Sequence, residues 1–435
     1  FGSSRQARKA PGGFRGRPFV RLGRPGDRAE MSVGQEFWIV AAGCSKGAGS
    51  EKDAYLAALK SSPALGAGSR SRGLEEGPWS FEVPTGDRSL AFGSFDNLVR
   101  LTDDLQKNDS QVDSIVHRLE RQYLELDPRA EFKVKSQRQE KSFLDYLKAW
   151  QWDEAKYPKT RSIMENLQLL MSVVGKLDEE ARNKTAQYND FKTQRGNLAK
   201  KEGANLTGRD LVDVLTPDVV QMNGTESDDF IYTEHLTTVV CIVPRGTDQD
   251  FVAAYATMAD NVVPLSGRKF KNLEDKDGNS LWRVVMFKTA VEAYKKNCRD
   301  KRFIPRDFEY SEEGYKKLKV QREQLDDTVR RQHDLIRGLY QAAWSDAMVA
   351  WMHIKAMRVF VEAVLRFGMP PSFATFALAP KPSSGPAVRK ALADILGKGA
   401  TTGPGGDRGD AQDDGEEYYP YVSLSFTPFN VQRGA

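Results

Sequence analysis

The sequence predicts an α+β fold that is mostly helical. Two long helices pair antiparallel as a neck, and the segment between them forms a small α/β unit at one end of that neck. Two observations support this prediction. Apolar residues recur with heptad spacing in two segments far apart in the chain, and the residues between these segments contain β-branched runs typical of strands. The two helices should run antiparallel, because the chain leaves along one and returns along the other. The architecture should therefore be elongated.

Composition places the chain among soluble globular proteins. Its 435 residues suffice for several compact units or one elongated unit, and 40% hydrophobic with 29% charged residues suits exposed helices. No apolar run approaches the ~20 residues of a membrane span, and no lipidation motif is present. Three cysteines without a CxxC pair fit the reducing cytosol. We therefore expect a cytoplasmic protein that reaches membranes only through partners.

Residues 1–30 differ in charge from the rest. They hold eight Lys or Arg against Asp27 and Glu30, a net +6, so that with +4 overall the remaining chain is at −2. Their Gly- and Pro-rich composition predicts a disordered basic leader, with an Arg-rich transit peptide as an alternative. We expect an upstream extension or translation artefact, with Met31 as the natural start. The basic charge therefore does not predict nucleic-acid binding.

Residues 31–159 predict the first part of a lobe at one end of the neck. A buried strand is expected at 36–42, where the sequence is EFWIVAA, and a second strand at 79–83, where Trp, Phe and Val alternate. Apolar residues at helical spacing predict two separate helices, at 95–105 and 111–126. This lobe should be completed by the C-terminal part of the chain.

The heptad segments predict the two neck helices. The first, at 160–204, would span on the order of 60 Å, and the second is expected at 306–343. Apolar positions of the first are Ile163, Leu167, Leu170, Val174, Leu177, Ala181, Tyr188 and Phe191. Those of the second are Tyr315, Leu318, Leu325, Val329, Ile336 and Leu339.

The middle segment, 205–305, predicts the small α/β unit. LTTVVCIV at 236–243 and LWRVVMF at 281–287 are β-branched runs typical of buried strands. Helical patterns at 251–258 and 289–297 follow them, and this alternation predicts a mixed sheet covered by helices.

Residues 344–435 should return to the first lobe. An almost wholly apolar helix is expected up to Phe367, ended by Gly368 and two prolines. Its polar residues form one stripe at helical spacing, in which Glu362 can pair with the arginine on either side: Lys355, Arg358, Glu362 and Arg366. A Gly/Pro-rich insert follows at 381–410, and the run YYPYVSLSF near the C-terminus predicts a strand that docks on the first lobe.

Catalytic and metal-binding patterns are sparse. No phosphate-binding glycine loop is present, and the four histidines form no cluster with cysteines or acids. One pattern matches a nucleophile elbow, because Gly43 to Gly47 is a G-x-S-x-G that follows a strand and precedes a helix. It would make Ser45 a hydrolase nucleophile with a later base such as His353. A nucleophile elbow normally follows several strands, and only one strand precedes this pattern, so we do not expect Ser45 to be a nucleophile. With the other patterns missing as well, we expect no catalytic, cofactor-binding or metal-binding residue.

Several longer motifs in order along the chain resemble one family. They run from EFWIVAA at Glu36 through WDxxKYP, NLxxRDL, EHLTTVVCIVP, VVPxS, LWRVVMFK and FxxRDFxY to EYYPYVS, which ends at Ser423, and include the apolar helix described above. Together they resemble the C subunit of the vacuolar-type proton ATPase over nearly all of the chain after Met31. The basic leader, the loop at 66–77 and the glycine-rich part of the insert depart from that pattern.

The resemblance implies a fold and a function. The fold would be a foot built from both chain ends, a neck and a head, and the function would be that of a non-catalytic stator subunit. Such a subunit links the peripheral stalks of E and G type to the cytosolic domain of the membrane-embedded a-type subunit, and leaves when the pump disassembles. Actin is a further partner that the resemblance leaves open. A free-standing coiled-coil adaptor and the Ser45 hydrolase are the alternatives.

Overall fold

The structure is a computed structural model that describes residues 34–44, 48–65, 73–86, 89–136, 139–222, 230–397 and 419–430. The predictions for the leader at 1–30, for Met31, for Ser45 and for much of the Gly/Pro-rich insert lie outside these residues. Within them the protein is mixed α+β, as predicted. No helix among the described residues combines the length and apolar character that a bilayer crossing requires.

The described elements follow one another from Phe37 to Phe426. The helices are α1 (Ala48–Ser61), α2 (Phe95–Leu126), α3 (Phe143–Lys148), α4 (Ile163–Glu202), α5 (Leu211–Val214), α6 (Pro217–Met222), α7 (Asp248–Ala254), α8 (Val291–Asp300), α9 (Glu312–Phe367) and α10 (Gly385–Leu396). The strands are β1 (Phe37–Gly43), β2 (Leu74–Ser80), β3 (Lys133–Ser136), β4 (Gln139–Ser142), β5 (Leu236–Val243), β6 (Arg268–Glu274), β7 (Ser280–Phe287), β8 (Ile304–Arg306), β9 (Phe373–Pro380) and β10 (Val422–Phe426).

One antiparallel sheet joins the two ends of the described chain. Its strand order is β10-β1-β9-β2, so that the first strand lies between two strands from the C-terminal part. Apolar side chains from both faces of this sheet are buried, one face against α2 and α9 and the other against α1 and α10. The terminal strand predicted from YYPYVSLSF is confirmed, and the strand predicted at 79–83 lies earlier, as β2.

Two helices differ from the sequence prediction in their length. α2 is one helix from Phe95 to Leu126, so the prediction of two separate helices was wrong. α9 continues for 56 residues without a break and starts at Glu312, capped by the Ser311 hydroxyl, rather than at 306. It ends at Phe367, where Gly368 takes a φ of 82° that favours glycine, as the sequence predicts.

α4 packs along α9 with its heptad positions inward. Ile163, Leu170 and Val174 have no exposed surface, and a capping box of Ser162 and Glu165 fixes the start of the helix. Contacts between the helices run in opposite order along the chain: the Thr185 hydroxyl lies 2.6 Å from that of Tyr340, and further along α4 an ion pair joins Arg195 to Asp326. These contacts place the two helices side by side in opposite directions.

The segment between α4 and α9 builds a second antiparallel sheet of order β6-β7-β5-β8. One face packs on α7 and α8 through Val239, Cys241 and their neighbours, and the other packs on α5 and α6. The strands predicted at 236–243 and 281–287 are confirmed as β5 and β7. They pair along the whole of β5, whereas β8 pairs with only three of its residues.

Candidate functional site

The charged stripe of α9 meets a buried carboxylate on α2. Asp109 is 4% exposed and accepts three hydrogen bonds, from the ammonium of Lys355 at 2.8 Å, from Arg358 at 2.6 Å and from the Trp351 indole at 2.8 Å. Burial lowers the pKa of Lys355, and Asp109 opposes that shift. One carboxylate thus holds two cations between the helices. We call Asp109, Trp351, Lys355 and Arg358 the Asp109 cluster.

The rest of the stripe extends from the Asp109 cluster toward β10. Glu362 accepts from Arg358 at 3.4 Å, as predicted, and burial raises the pKa of Glu362. Arg366 donates to the main-chain carbonyls of Tyr419 and Tyr421 at 2.7 and 2.6 Å. The stripe therefore connects α9 both to α2 and to the segment that leads into β10.

A second polar group lies one to three turns further along α2. His117 lies between Asp113 at 3.2 Å and Glu120 at 3.1 Å, and Glu120 also accepts from the main-chain N–H of Asn430 at 3.1 Å. Burial disfavours the charged imidazole, but the hydrogen bonds to the two carboxylates outweigh burial and raise the pKa of His117 to about 9. This histidine is therefore charged at neutral pH and helps to hold the C-terminal segment.

The proposed hydrolase base has both ring nitrogens occupied. His353 Nε2 accepts from the main-chain N–H of Asp153 at 3.1 Å, and Nδ1 donates to the Val349 carbonyl at 2.8 Å. Burial among Trp150 and Tyr157 lowers the pKa of His353 to about 4. A histidine fixed in this way supports packing and cannot accept a proton from a serine, so it does not serve the elbow at Ser45, which lies outside the described residues.

Polar contacts across α4, α2 and α9 reinforce the apolar seam. The Tyr340 hydroxyl donates to Gln122 at 3.1 Å and meets Thr185, so that one side chain bridges the three helices. An ion pair also joins Arg118 on α2 to Asp178 on α4. The arrangement fixes the relative positions of long helices. The described residues hold no group of three or more His, Cys, Asp or Glu side chains fit to bind a metal ion.

Sequence reasoning missed the partner of the stripe. It placed the four stripe residues on one helix face but offered no counter-ion for Lys355, and Asp109 is about 250 positions earlier in the chain. Helical spacing along α2 could have indicated Asp109 as that partner, because Asp109 lies on the same helix face as the buried apolar residues of α2. These are Leu98, Leu101, Leu105, Val112 and Val116.

Comparisons with known proteins agree with the motifs. The family model described as the V-ATPase C subunit matches residues 50–422, which include α2, α4, the second sheet and the stripe of α9. The chain belongs to the V-ATPase C subunit family.

Relatives of this family match over almost their full length. The V-type proton ATPase C subunit 1-A of Danio rerio is 29% identical over 401 residues, covering 89% of this chain and 96% of the relative. The V-type proton ATPase C subunit of Dictyostelium discoideum is 29% identical over 399 residues, covering 91% and 99%. A crystal structure of the cytoplasmic N-terminal domain of the V-ATPase I-type subunit, a homologue of the a-type subunit, matches with a TM-score of 0.25 and 11% identity, too low to indicate a common fold.

Proposed function

We propose that the chain is a non-catalytic stator subunit of the peripheral, ATP-hydrolysing sector of a V-type proton pump. The proposal rests on membership of the C subunit family together with the single helix α9. The C-terminal half of α9 packs against the first sheet, and its N-terminal end comes directly after the last strand of the second sheet in the chain. A subunit that resists rotor torque needs two binding regions joined by a stiff element. A continuous helix paired with a second helix supplies that stiffness.

The proposed architecture is a foot, a neck and a head. Residues 31–159 and 344–435 form the foot, residues 160–204 and 306–343 the neck, and residues 205–305 the head. Interdigitation of β1 between β9 and β10 supports a foot made from both parts of the chain. The opposite order of contacts along α4 and α9 supports an antiparallel neck.

The proposed partners follow from the family. In this role the foot and head bind peripheral-stalk subunits of E and G type and the cytosolic domain of the membrane-embedded a-type subunit, on the cytosolic face of vacuolar or other endomembranes. Reversible binding controls assembly of the pump, and actin is a further candidate partner. We propose no catalytic residue, cofactor or metal for the chain itself.

ATP-driven proton pumping tests this proposal. Membranes depleted of the chain should acidify poorly although the other subunits are made, and resupply of the full chain should restore pumping. Full pumping before resupply would refute the stator role. Co-purification with V-type ATPase subunits separates the role from that of a free-standing coiled-coil adaptor, which would purify without them.

The hydrolase alternative has a separate test. An active-site serine probe should leave the protein unlabelled, since His353 has no free ring nitrogen. Stoichiometric labelling that disappears in Ser45→Ala would establish the hydrolase instead.

A further inference from the structure

Two of the three cysteines of the chain lie together in the core of the second sheet. Cys241 is in β5 and Cys298 is in the last turn of α8, and neither has any exposed surface. Both belong to the apolar cluster between one face of the sheet and the helices α7 and α8. The residues of this cluster all fall within 230–397, which the structure describes without a gap.

The return of the chain from α8 to β8 brings the two cysteines together. The Phe303 N–H donates to the Cys298 carbonyl at 2.9 Å, so α8 ends next to the start of β8. Pro305, two residues later, lies opposite Cys241 in the sheet. The two side chains meet on one face of the sheet, where the Cys241 thiol donates a hydrogen bond to the Cys298 sulfur. A covalent bond between these sulfur atoms therefore requires only a small movement of either segment.

The two thiols differ in their acidity. The hydrogen bond from Cys241 lowers the pKa of Cys298, an effect that burial opposes and the charge of Lys301 supports. The same hydrogen bond and burial raise the pKa of Cys241 well above its usual range. Because the thiolate is the form of cysteine that attacks a peroxide, Cys298 is the nucleophile of the pair. Cys241 is then the second thiol, which reacts with the oxidised Cys298.

Few buried side chains hold α8 against the sheet. Of its ten residues, Tyr294 and Cys298 are buried, and no side chain caps its N-terminus. Segments with few buried contacts open locally at a free-energy cost well below that of global unfolding. Such an opening exposes the Cys298 sulfur to a molecule as small as hydrogen peroxide, and reclosing returns it to Cys241.

We propose that Cys241 and Cys298 form a redox switch, in which hydrogen peroxide converts the two thiols to a disulfide that joins α8 to β5. The Cys298 thiolate attacks one peroxide oxygen and breaks the O–O bond, which gives a sulfenic acid and, after protonation of the released hydroxide, water. The Cys241 sulfur then displaces the hydroxyl group of the sulfenic acid, which takes up the Cys241 proton and leaves as a second water. The two sulfur atoms are oxidised and the two peroxide oxygens are reduced.

The switch acts on the surface to which α8 contributes. Val291, Glu292 and Lys295 of α8 line a cavity of about 550 Å³, together with residues of β5. A disulfide in the last turn of the helix holds this wall of the cavity in place, whereas the reduced helix can open. A thiol reductant reverses the bond by exchange, so the change is reversible in a reducing compartment. This inference does not depend on the stator role.

The test exposes the full, fully reduced chain to hydrogen peroxide, blocks the remaining thiols with iodoacetamide and maps the digest by mass spectrometry. The expected product is a pair of peptides joined through Cys241 and Cys298, which dithiothreitol separates again. Amide hydrogen exchange in α8 should be slower in the oxidised chain than in the reduced chain by about tenfold or more. Two free thiols after peroxide treatment, or a disulfide that leaves exchange in α8 unchanged, would overturn the proposal.

Alanine variants separate the roles of the two thiols. Cys241→Ala should leave a sulfenic acid at Cys298 that dimedone labels, whereas Cys298→Ala should leave Cys241 unlabelled. Cys44→Ala is the matched control and should form the disulfide as the parent chain does, because Cys44 packs against the first sheet and burial raises its pKa to about 11. Equal labelling of Cys241 and Cys298 in the two variants would contradict the assignment of Cys298 as the nucleophile. If either variant does not fold, the peptide map of the parent chain decides.

Discussion

The two halves of α9 differ in how they are surrounded. From Ala343 to Val364 nearly every side chain is buried on all sides, including Lys355, which is 4% exposed. From Glu312 to Leu335 no side chain is fully buried, and Leu335 is 65% exposed. One helix therefore forms core at one end and a largely solvent-exposed pair with α4 at the other. Polar contacts should matter most in the buried half, where water does not compensate for their loss.

The largest effect is expected in the buried half. Asp109→Asn removes the carboxylate that holds Lys355 and Arg358 and leaves two buried cations without it, at a cost of about 3 kcal/mol or more. Urea unfolding of the full chain measures this. Asp103→Asn, on the exposed side of α2, is the matched control and should change little. Equal midpoints for both variants would contradict a cluster that depends on Asp109.

The next effect tests the seam between α4 and α9. Leu170→Asp or Val174→Asp introduces a charge at a position without exposed surface, at a cost of several kcal/mol, roughly 2–4. The exposed Asp190→Asn should be neutral. If thermal unfolding gave one midpoint for all of these proteins, the paired-helix arrangement would be wrong.

A smaller effect should depend on pH. The raised pKa of His117 means that its contribution to the free energy of unfolding is complete below pH 6.5 and is lost as pH rises through about 9. Because solvent screens this partly exposed group, its size should be only about 1–2 kcal/mol, less than the full pKa difference implies. His117→Gln should flatten this dependence, measured as unfolding midpoints between pH 6 and about 9.5. A variant that loses stability over this range as steeply as the parent chain would show that another group is responsible.

The smallest effect is expected in the exposed half. Arg195 and Asp326 pair across α4 and α9, with side chains 57% and 40% exposed. Arg195→Ala should therefore cost no more than about 0.5 kcal/mol, and less in high salt. A loss near that of Asp109→Asn would erase the distinction between the two halves.

The sequence predicts the elements whose hydrophobic residues recur at a regular spacing or form a continuous β-branched run. Heptad positions such as Leu170 and Val174 are buried as expected, and the β-branched runs form β5 and β7. It fails where tertiary contacts reverse a local preference. The polar run QKNDS suggests a gap in α2, yet it continues the helix because its Asp109 meets Lys355 from a distant segment.

β9 was missed for a related reason. FATFALAP has few β-branched residues and no alternation, and it forms a strand because β1 and β2 cover both of its edges and every residue is buried.

The absence of any break in α9 restricts how the protein can change in length. Each residue inserted into an α-helix rotates everything beyond it by about 100°. One added residue in the exposed half would turn its seam away from α4, whereas seven would nearly restore the phase and leave a small residual rotation. Because α4 runs beside α9, the same number must be added there as well. Insertions that keep the phase therefore come in sets such as seven or eleven residues, which would lengthen the distance between the two sheets by about 10 or about 16 Å and must occur in both helices together.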